Sequence, residues 1–191
     1  MASLSSLMSD VYTLTNRDDL VAETKLAVKM ATLKMHQLDN FPKDIFETGI
    51  SWSPVAFIQS LDYKTLIPNW RSFKYLRKYQ DGLPGDFFTY LTPEESLDRY
   101  KVNKENICYA AGTQLEIRSN TEDTYMLLAC CTHPIVTDAG YSSWIADEFP
   151  FAIISDAAAS VFKSIGQDEK ASAFKQTVAE QVALIRQNNI L

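Results

Sequence analysis

The chain has 191 residues, of which 46% are hydrophobic and 22% are charged. This composition is that of an ordinary globular protein and argues against an intrinsically disordered chain. The length suffices for a hydrophobic core without disulfides or metals, and it fits one domain or one domain with an insertion. The net charge of −6 speaks against general binding to nucleic acid, although it leaves room for a local basic patch.

Membrane and secretory segments are not expected. No apolar run approaches the roughly 18 residues of a transmembrane helix, and the N-terminal stretch MASLSSLMSD lacks the basic and apolar regions of a secretory signal. The three cysteines, Cys108, Cys130 and Cys131, do not have the spacing of zinc ligands. We expect buried thiols in a protein assembled in a reducing cytoplasm.

The N-terminal forty residues are predicted to form two helices. A short apolar stripe at helical spacing covers residues 4–14. Asn16 is then expected to cap a longer helix that has Asp18 and Asp19 in its first turn and runs to about Gln37.

This second helix carries two apolar stripes on roughly opposite faces, with charged residues between them. One stripe consists of Val21, Val28, Ala31, Met35 and Leu38. The other consists of Leu26, Met30 and Leu33. One stripe is expected to pack inside the subunit. The second needs another cover, either the β-rich segment or a neighbouring subunit.

From Asn40 to Gly140 the pattern is typical of strands and turns. Alternating, β-branched and aromatic segments predict strands over Asp44–Trp52, Val55–Leu61, Trp70–Tyr79, Ile107–Ala110, Gln114–Arg118 and Tyr125–Thr132. Turn signals separate them at Asp81-Gly82, Pro84-Gly85 and Ala111-Gly112. The segment Phe87–Tyr100 is ambiguous, with one helical turn possible at Thr92–Glu95.

The C-terminal segment 143–191 is predicted to form a helical hairpin. Ser143 and the acidic pair Asp147-Glu148 favour a helix start, and Pro150 fits a helix entrance. The next helix, Phe151–Ile165, is apolar almost all round, and Gly166 is expected to end it. The last helix is amphipathic, with its apolar stripe at Ala171, Phe174, Val178, Val182 and Ile185.

These elements predict an α+β fold. The N- and C-terminal helices, residues 1–40 and 143–191, are expected to form one helical bundle, because each has an apolar face too wide to leave in water. Residues 41–142 would be an inserted, antiparallel β-rich subdomain.

Motifs of enzyme chemistry are lacking, and we predict no catalytic, cofactor-binding or metal-binding residues. The two histidines, His36 and His133, are expected to have ordinary polar roles, because no serine has the glycine pattern of a nucleophile elbow. His36 is placed on the charged flank of its helix. No glycine-rich phosphate loop is present, and the acidic pairs fall at helix starts, where the helix dipole explains them.

One charge cluster has two interpretations. Arg71, Lys74, Arg77 and Lys78 alternate with aromatic residues, a combination that can form a nucleic-acid platform. Alternatively, strand alternation puts the aromatic side chains in the core and the basic ones in solvent or at an acidic partner surface. The acidic total favours the second interpretation.

Two runs resemble a known family. The run WIADEFPFAIISDAAASVFKSIGQDEKASAF is similar to the C-terminal signature of tailed-bacteriophage head–tail adaptor (connector) proteins, and DLVAETKLAVKMATLKMH resembles their long N-terminal helix. The resemblance implies a structural virion protein in the neck or tail, assembled in the host bacterial cytoplasm. It implies a homo-oligomeric, dodecameric ring that joins the portal protein to the tail tube or nozzle, and through which DNA passes without sequence-specific binding.

Candidate contact residues follow from the pattern of the sequence and from the family resemblance. Leu26, Met30 and Leu33 are the predicted subunit interface, since they form the second stripe. The C-terminal tail with Arg186, Ile190 and Leu191 is expected to dock on the portal, as tails of the resembled family do. Arg71, Lys74, Arg77 and Lys78 are expected to face the tail or DNA. The alternative function is a small nucleic-acid-binding module that uses strand 70–79.

Overall fold

The computed structural model describes residues 1–52, 57–80, 82–92, 94–95, 105–119 and 124–189. The fold is mixed α+β with mainly antiparallel sheets, as the sequence predicted at that level. The chain divides into two compact units: a helical unit, residues 1–44 and 133–191, and a β-rich unit, residues 45–132. Residues 41–44 and 133–142, which were predicted to belong to the β-rich part, lie in the helical unit because Phe41 and Tyr141 pack on its core.

The helical unit contains five α-helices among its described residues. These are α1 (Leu4–Thr15), α2 (Val21–Gln37), α4 (Trp144–Glu148), α5 (Pro150–Ser164) and α6 (Asp168–Asn189). A 3-10 turn at Pro42–Asp44 and a small hairpin of β9 (Ile135–Val136) and β10 (Tyr141–Ser142) complete the unit. Helix α5 is the central element, since its buried residues join one core cluster with those of α1, α2, α4 and α6.

Small side chains let the helices pack closely around α5. Ala157 and Ala158 of α5 and Ala31 of α2 are fully buried in the same core cluster. Alanine at such positions allows neighbouring backbones to approach. The predicted stripe of the last helix is confirmed, with Ala171 and Ile185 buried and Phe174 packed against the core.

The ends of two helices show where the sequence was interpreted correctly and where it was not. Gly166 has a φ of 75° and closes α5 as predicted: its N–H donates to the Lys163 carbonyl, and the Gln167 N–H donates to the Phe162 carbonyl. The prediction that Asn16 caps α2 is wrong. Asn16 instead ends α1 in the left-handed conformation that asparagine tolerates, and α2 begins at Val21.

In the described residues of the β-rich unit there are two four-stranded sheets and a short helix, α3 (Tyr63–Leu66). The first sheet has the order β1 (Ile45–Trp52), β8 (Thr124–Thr132), β3 (Trp70–Gln80), β4 (Leu83–Phe87). The second has the order β2 (Ile58–Asp62), β7 (Gln114–Arg118), β6 (Ile107–Ala111), β5 (Thr89–Tyr90). All neighbouring strands are antiparallel except β5 and β6.

One hydrophobic core serves both sheets of this unit. Leu76, Met126 and Leu128 of the first sheet and Leu115 and Ile117 of the second belong to the same buried cluster.

The predicted strands are confirmed where they are described, including the β6–β7 hairpin with Gly112 at a φ of 63°. Residues 55 and 56 of the predicted second strand, and residues 93 and 96–100 of the ambiguous segment, lie outside the described residues.

Candidate functional site: an exposed helix face and a buried polar network

Helix α2 presents its two apolar stripes to different surroundings. Val28 and Met35 are fully buried, whereas Leu26 is 60% exposed and Met30 is 61% exposed. Leu33 is partly buried. One member of the predicted core stripe, Val21, is also exposed, because it is the first residue of the helix. The second stripe is thus an apolar surface on this helix.

The exposed stripe forms one wall of a groove between α2 and α5. The groove has a volume of about 640 Å³. Its apolar lining comes from Leu26, Ala27, Met30, Leu33 and Val161, and its polar lining from Glu23, Lys34, Gln37, Asp156, Ser160 and Ser164. A surface that combines apolar and polar side chains is typical of protein contacts.

An ion pair joins the two helices beside the groove. Lys34 of α2 donates to the Asp156 carboxylate of α5 at 2.5 Å. Asp156 is mostly buried, while Lys34 stays largely exposed. Both residues also line the groove.

His36 is the centre of a buried hydrogen-bond network, contrary to the prediction that it lies on the charged flank. Only 2% of the residue is exposed. Its Nδ1 lies 2.7 Å from Asp44 Oδ1, and its Nε2 lies 2.9 Å from Ser143 Oγ. Trp144 Nε1 donates to the same Asp44 oxygen at 2.8 Å. Four side chains from α2, the 3-10 turn and the start of α4 therefore meet at one point.

The order Ser143–His36–Asp44 is that of a serine-hydrolase triad, but its setting is that of a helix cap. Ser143 Oγ accepts the Ala146 N–H at 3.1 Å at the N-terminus of α4, and Ser143 is 5% exposed. A nucleophile needs room for a substrate carbonyl beside its oxygen and donors for the oxyanion. The geometry therefore favours a structural role, with His36 tying α4 to α2.

A signal for this network exists in the sequence. Thr32 lies one helical turn before His36, is also buried, and bonds to Tyr141 Oη at 2.7 Å. Both polar residues are interleaved with the buried stripe residues Ala31 and Met35. Polar side chains set inside an apolar stripe indicate buried hydrogen bonds. Their partners, however, are distant in sequence.

The basic–aromatic strand is β3, and its side chains are divided between the two faces of the sheet. Trp70 and Phe73 pack on the core, whereas Tyr79 contacts the Tyr125 ring on the other face. The register of β3 on β8 shifts between Trp70 and Ser72 and between Phe73 and Tyr75. These irregularities break the simple alternation on which the sequence interpretation relied.

The cations of this strand are likewise divided. Arg77 lies over the ring of Phe87 on β4, at 5.6 Å, and Lys78 lies over the ring of the buried Phe88, at 5.9 Å. Successive residues of a strand point to opposite faces. Arg71 and Lys74 are partly buried. Arg77 and Lys78 therefore do not share one platform, which reduces the support for a nucleic-acid module.

The remaining candidate positions lie at the C-terminus and among the cysteines. Arg186 is exposed on α6, and Ile190 and Leu191 lie outside the described residues. All three cysteines are buried and free, as expected. Burial raises the pKa of Cys108 to about 12 and, together with the neighbouring Cys131, that of Cys130 to about 11. The thiols of Cys108 and Cys130 are therefore poor nucleophiles.

Within the described residues, no group of three or more His, Cys, Asp or Glu side chains is placed to hold a metal ion. No helix in that part of the chain is long and apolar enough to cross a membrane. No family model matches the chain, and no curated protein sequence matches it.

Proposed function

We propose that this protein is a structural virion component, a head–tail adaptor that assembles as a ring beneath the portal and joins it to the tail tube or nozzle. The observation that carries the proposal is the exposed stripe of Leu26 and Met30 beside the α2–α5 groove. A groove lined by apolar side chains together with polar ones is suited to binding another protein. The resemblance of residues 144–174 to adaptor proteins supplies the identity of that assembly.

The occupant of the groove is a neighbouring copy of the same chain. In a ring each subunit offers one surface to the neighbour on one side and a different surface to the neighbour on the other. The stripe is small compared with the roughly 800 Å² per partner of a stable interface. We therefore expect a mostly monomeric protein that closes into a ring, dodecameric by resemblance, when the portal aligns the copies.

The arrangement of the fold supports this role. We propose that the helices at both ends of the chain act as one bundle that bears the ring contact, with the β-rich unit as an insertion. Unit boundaries at residues 44 and 133 agree with this order. The net charge of −6 favours a passage that DNA crosses without specific binding, because acidic surfaces do not retain phosphates.

Two further contacts complete the proposal. The C-terminal tail, with Arg186, Ile190 and Leu191, docks on the portal. The outward residues of β3, Arg77 among them, face the tail. Assembly takes place in the host bacterial cytoplasm, and the mature protein belongs to the neck of the virion. No enzymatic activity, cofactor or membrane is part of this function.

The test combines the purified protein with the portal protein of the same virus. Electron micrographs should show a ring on the portal, and the chain alone should remain monomeric at micromolar concentration. The double variant Leu26→Glu, Leu33→Glu should lose the ring but keep cooperative melting, because charges in a subunit contact would be left unpaired. The control Leu14→Glu changes an exposed leucine on α1 and should keep the ring.

Two outcomes would overturn the proposal. Closed rings that form without any portal would contradict template-dependent assembly. Loss of cooperative melting in the double variant would place the stripe in the subunit's own core.

Deletion of residues 188–191 tests the tail separately: the monomer should be equally stable, but portal attachment should weaken. Unchanged attachment would exclude the tail as an anchor.

A further inference from the structure

Both edge strands of the first β-sheet carry exposed apolar side chains. Strand β1 is one edge, and Ile45 and Phe46 are exposed on it. Strand β4 is the other edge, where Leu83 is 70% exposed and Phe87 is 57% exposed. Exposed apolar residues at a strand edge invite pairing with another chain.

Strand β1 lacks the features that usually prevent such pairing. It pairs with β8 in an unbroken register from Ile45 to Trp52, and its sequence, IFETGISW, contains neither proline nor a basic residue. Proteins normally protect edges with lysine, proline, bulges or short length. Among the described residues, β1 pairs with β8 alone. Within that part of the chain, no strand occupies the outer edge of β1.

The strand directions determine which occupant fits. All three pairings in this sheet are antiparallel, so β4 runs opposite to β1. In a ring all copies have the same orientation. The β1 edge of one copy would therefore meet the β4 edge of the next copy in antiparallel direction, which continues the alternation of the sheet. The second sheet lacks this property, because its β5–β6 pair is parallel.

Charged side chains lie near both edges: Glu47 on β1, Asp86 on β4 and Arg77 on β3 beside β4. Arg77 holds its guanidinium over the Phe87 ring, on the β4 side of the sheet. Glu47 is exposed on β1 and bonds to the Tyr75 hydroxyl. Its pairing with Ala129 puts it on the same sheet face as Tyr75 and Arg77. On that face the Glu47 carboxylate and the Arg77 guanidinium would attract each other across the contact, whereas Asp86 of β4 adds a like charge near Glu47.

We infer that the β-rich unit carries a second subunit contact, in which β1 of one copy pairs antiparallel with β4 of the neighbouring copy and the first sheet continues from subunit to subunit. This inference rests on the proposed ring and names a contact apart from the α2–α5 groove. Pro84 of β4 has no N–H to donate. The contact thus has fewer backbone hydrogen bonds and is weak until a template aligns the copies.

The test is cross-linking between two differently tagged, full-length proteins bound together to the portal protein. One carries Ser51→Cys and the other Asp86→Cys, both at exposed positions of the respective edges. The native cysteines are buried, so a short bismaleimide will join the introduced thiols preferentially. Within one chain the two edges are three strand spacings, about 14 Å, apart.

The expected product is the mixed dimer, identified by its mass on a denaturing gel. It should exceed both homodimers, and it should exceed by about tenfold the product of either variant with Thr113→Cys, because thiols held in a contact have a raised effective concentration. Thr113 is exposed in the β6–β7 turn, away from both edges. Glu47→Cys serves as a second β1 variant if Ser51→Cys lowers the melting temperature.

Two results would overturn the inference. A dominant Ser51→Cys homodimer would indicate that β1 pairs with β1 of another copy around a twofold axis. Mixed dimers at the level of the Thr113 control on portal-bound protein would exclude the edge contact. Rings on the portal without the cross-link leave the adaptor function intact and eliminate this contact. A cross-link in a sample that shows no rings on the portal would support this contact and contradict the adaptor function.

Discussion

The two faces of α2 have similar apolar side chains and opposite surroundings. Met35 is fully buried, whereas Met30, five residues earlier on the same helix, is 61% exposed. The buried face belongs to the core cluster that contains Ala157 and Ala158 of α5. Helical periodicity therefore indicates how many apolar faces a helix has. Which face becomes core depends on the helices that pack against it.

The largest expected difference comes from truncating the two methionines. Met35→Ala should lower the free energy of unfolding by about 2–5 kcal/mol, because it removes buried atoms and leaves a cavity. Met30→Ala should change it by less than about 0.5 kcal/mol, because the side chain is mostly in solvent. Urea unfolding of both variants measures the comparison directly. Equal losses for the two would mean that the exposed face is stabilising within the monomer.

A second variant extends the comparison to His36, the polar residue at the end of the buried face of α2. Asp44→Ala removes the acceptor of both His36 and Trp144. Leaving such buried donors unpaired should cost about 2–3 kcal/mol in unfolding free energy. The control Asp10→Ala alters an exposed carboxylate on α1 and should be neutral. An equally small effect of both substitutions would show that the His36 network contributes little to stability.

The smallest effect on stability is expected from a substitution at the charged flank of α2, which lies between its two apolar faces. Lys25 and Lys29 of α2 hydrogen-bond to Asp138, and these bonds hold the pKa of that carboxyl below its usual 3.8. A lowered folded-state pKa stabilises the protein above the unfolded pKa, and the stabilisation is lost as the pH falls through the folded value.

The variant Asp138→Asn should therefore melt slightly lower than the wild type at neutral pH. The difference in melting temperature should shrink in high salt and vanish under strongly acidic conditions, since the carboxylate is exposed and then protonated. A difference that persisted in acid would point to packing of the β9–β10 turn and not to charge.

Local patterns predicted most elements of the fold, because their causes are local. The two stripes of α2, the Gly166 helix end and the β6–β7 hairpin each depend on residues within a few positions. The exposed stripe of the candidate site was predicted in the same way. Its companion wall on α5, with Asp156 and Val161, was not, because helix pairing is tertiary.

Two of the failures share one physical origin. The partners of His36 lie 8 and 107 residues away, so its place inside the apolar stripe indicates burial but does not reveal those partners. Likewise, the bulges in β3 depend on its pairing with β8 and move Tyr79 to the face away from the core. Pairing that is set at long range overrides local alternation.

The polar contacts of Asp44 have a consequence for how this protein can vary. Trp144 and Asp44 are 100 residues apart in sequence and are joined by a direct hydrogen bond, so the helical unit itself brings together the ends of the segment between them. The entropy of a chain segment with fixed ends changes slowly with length, by about 0.6 kcal/mol for each doubling. Relatives could therefore carry β-rich segments of very different lengths on an unchanged helical unit.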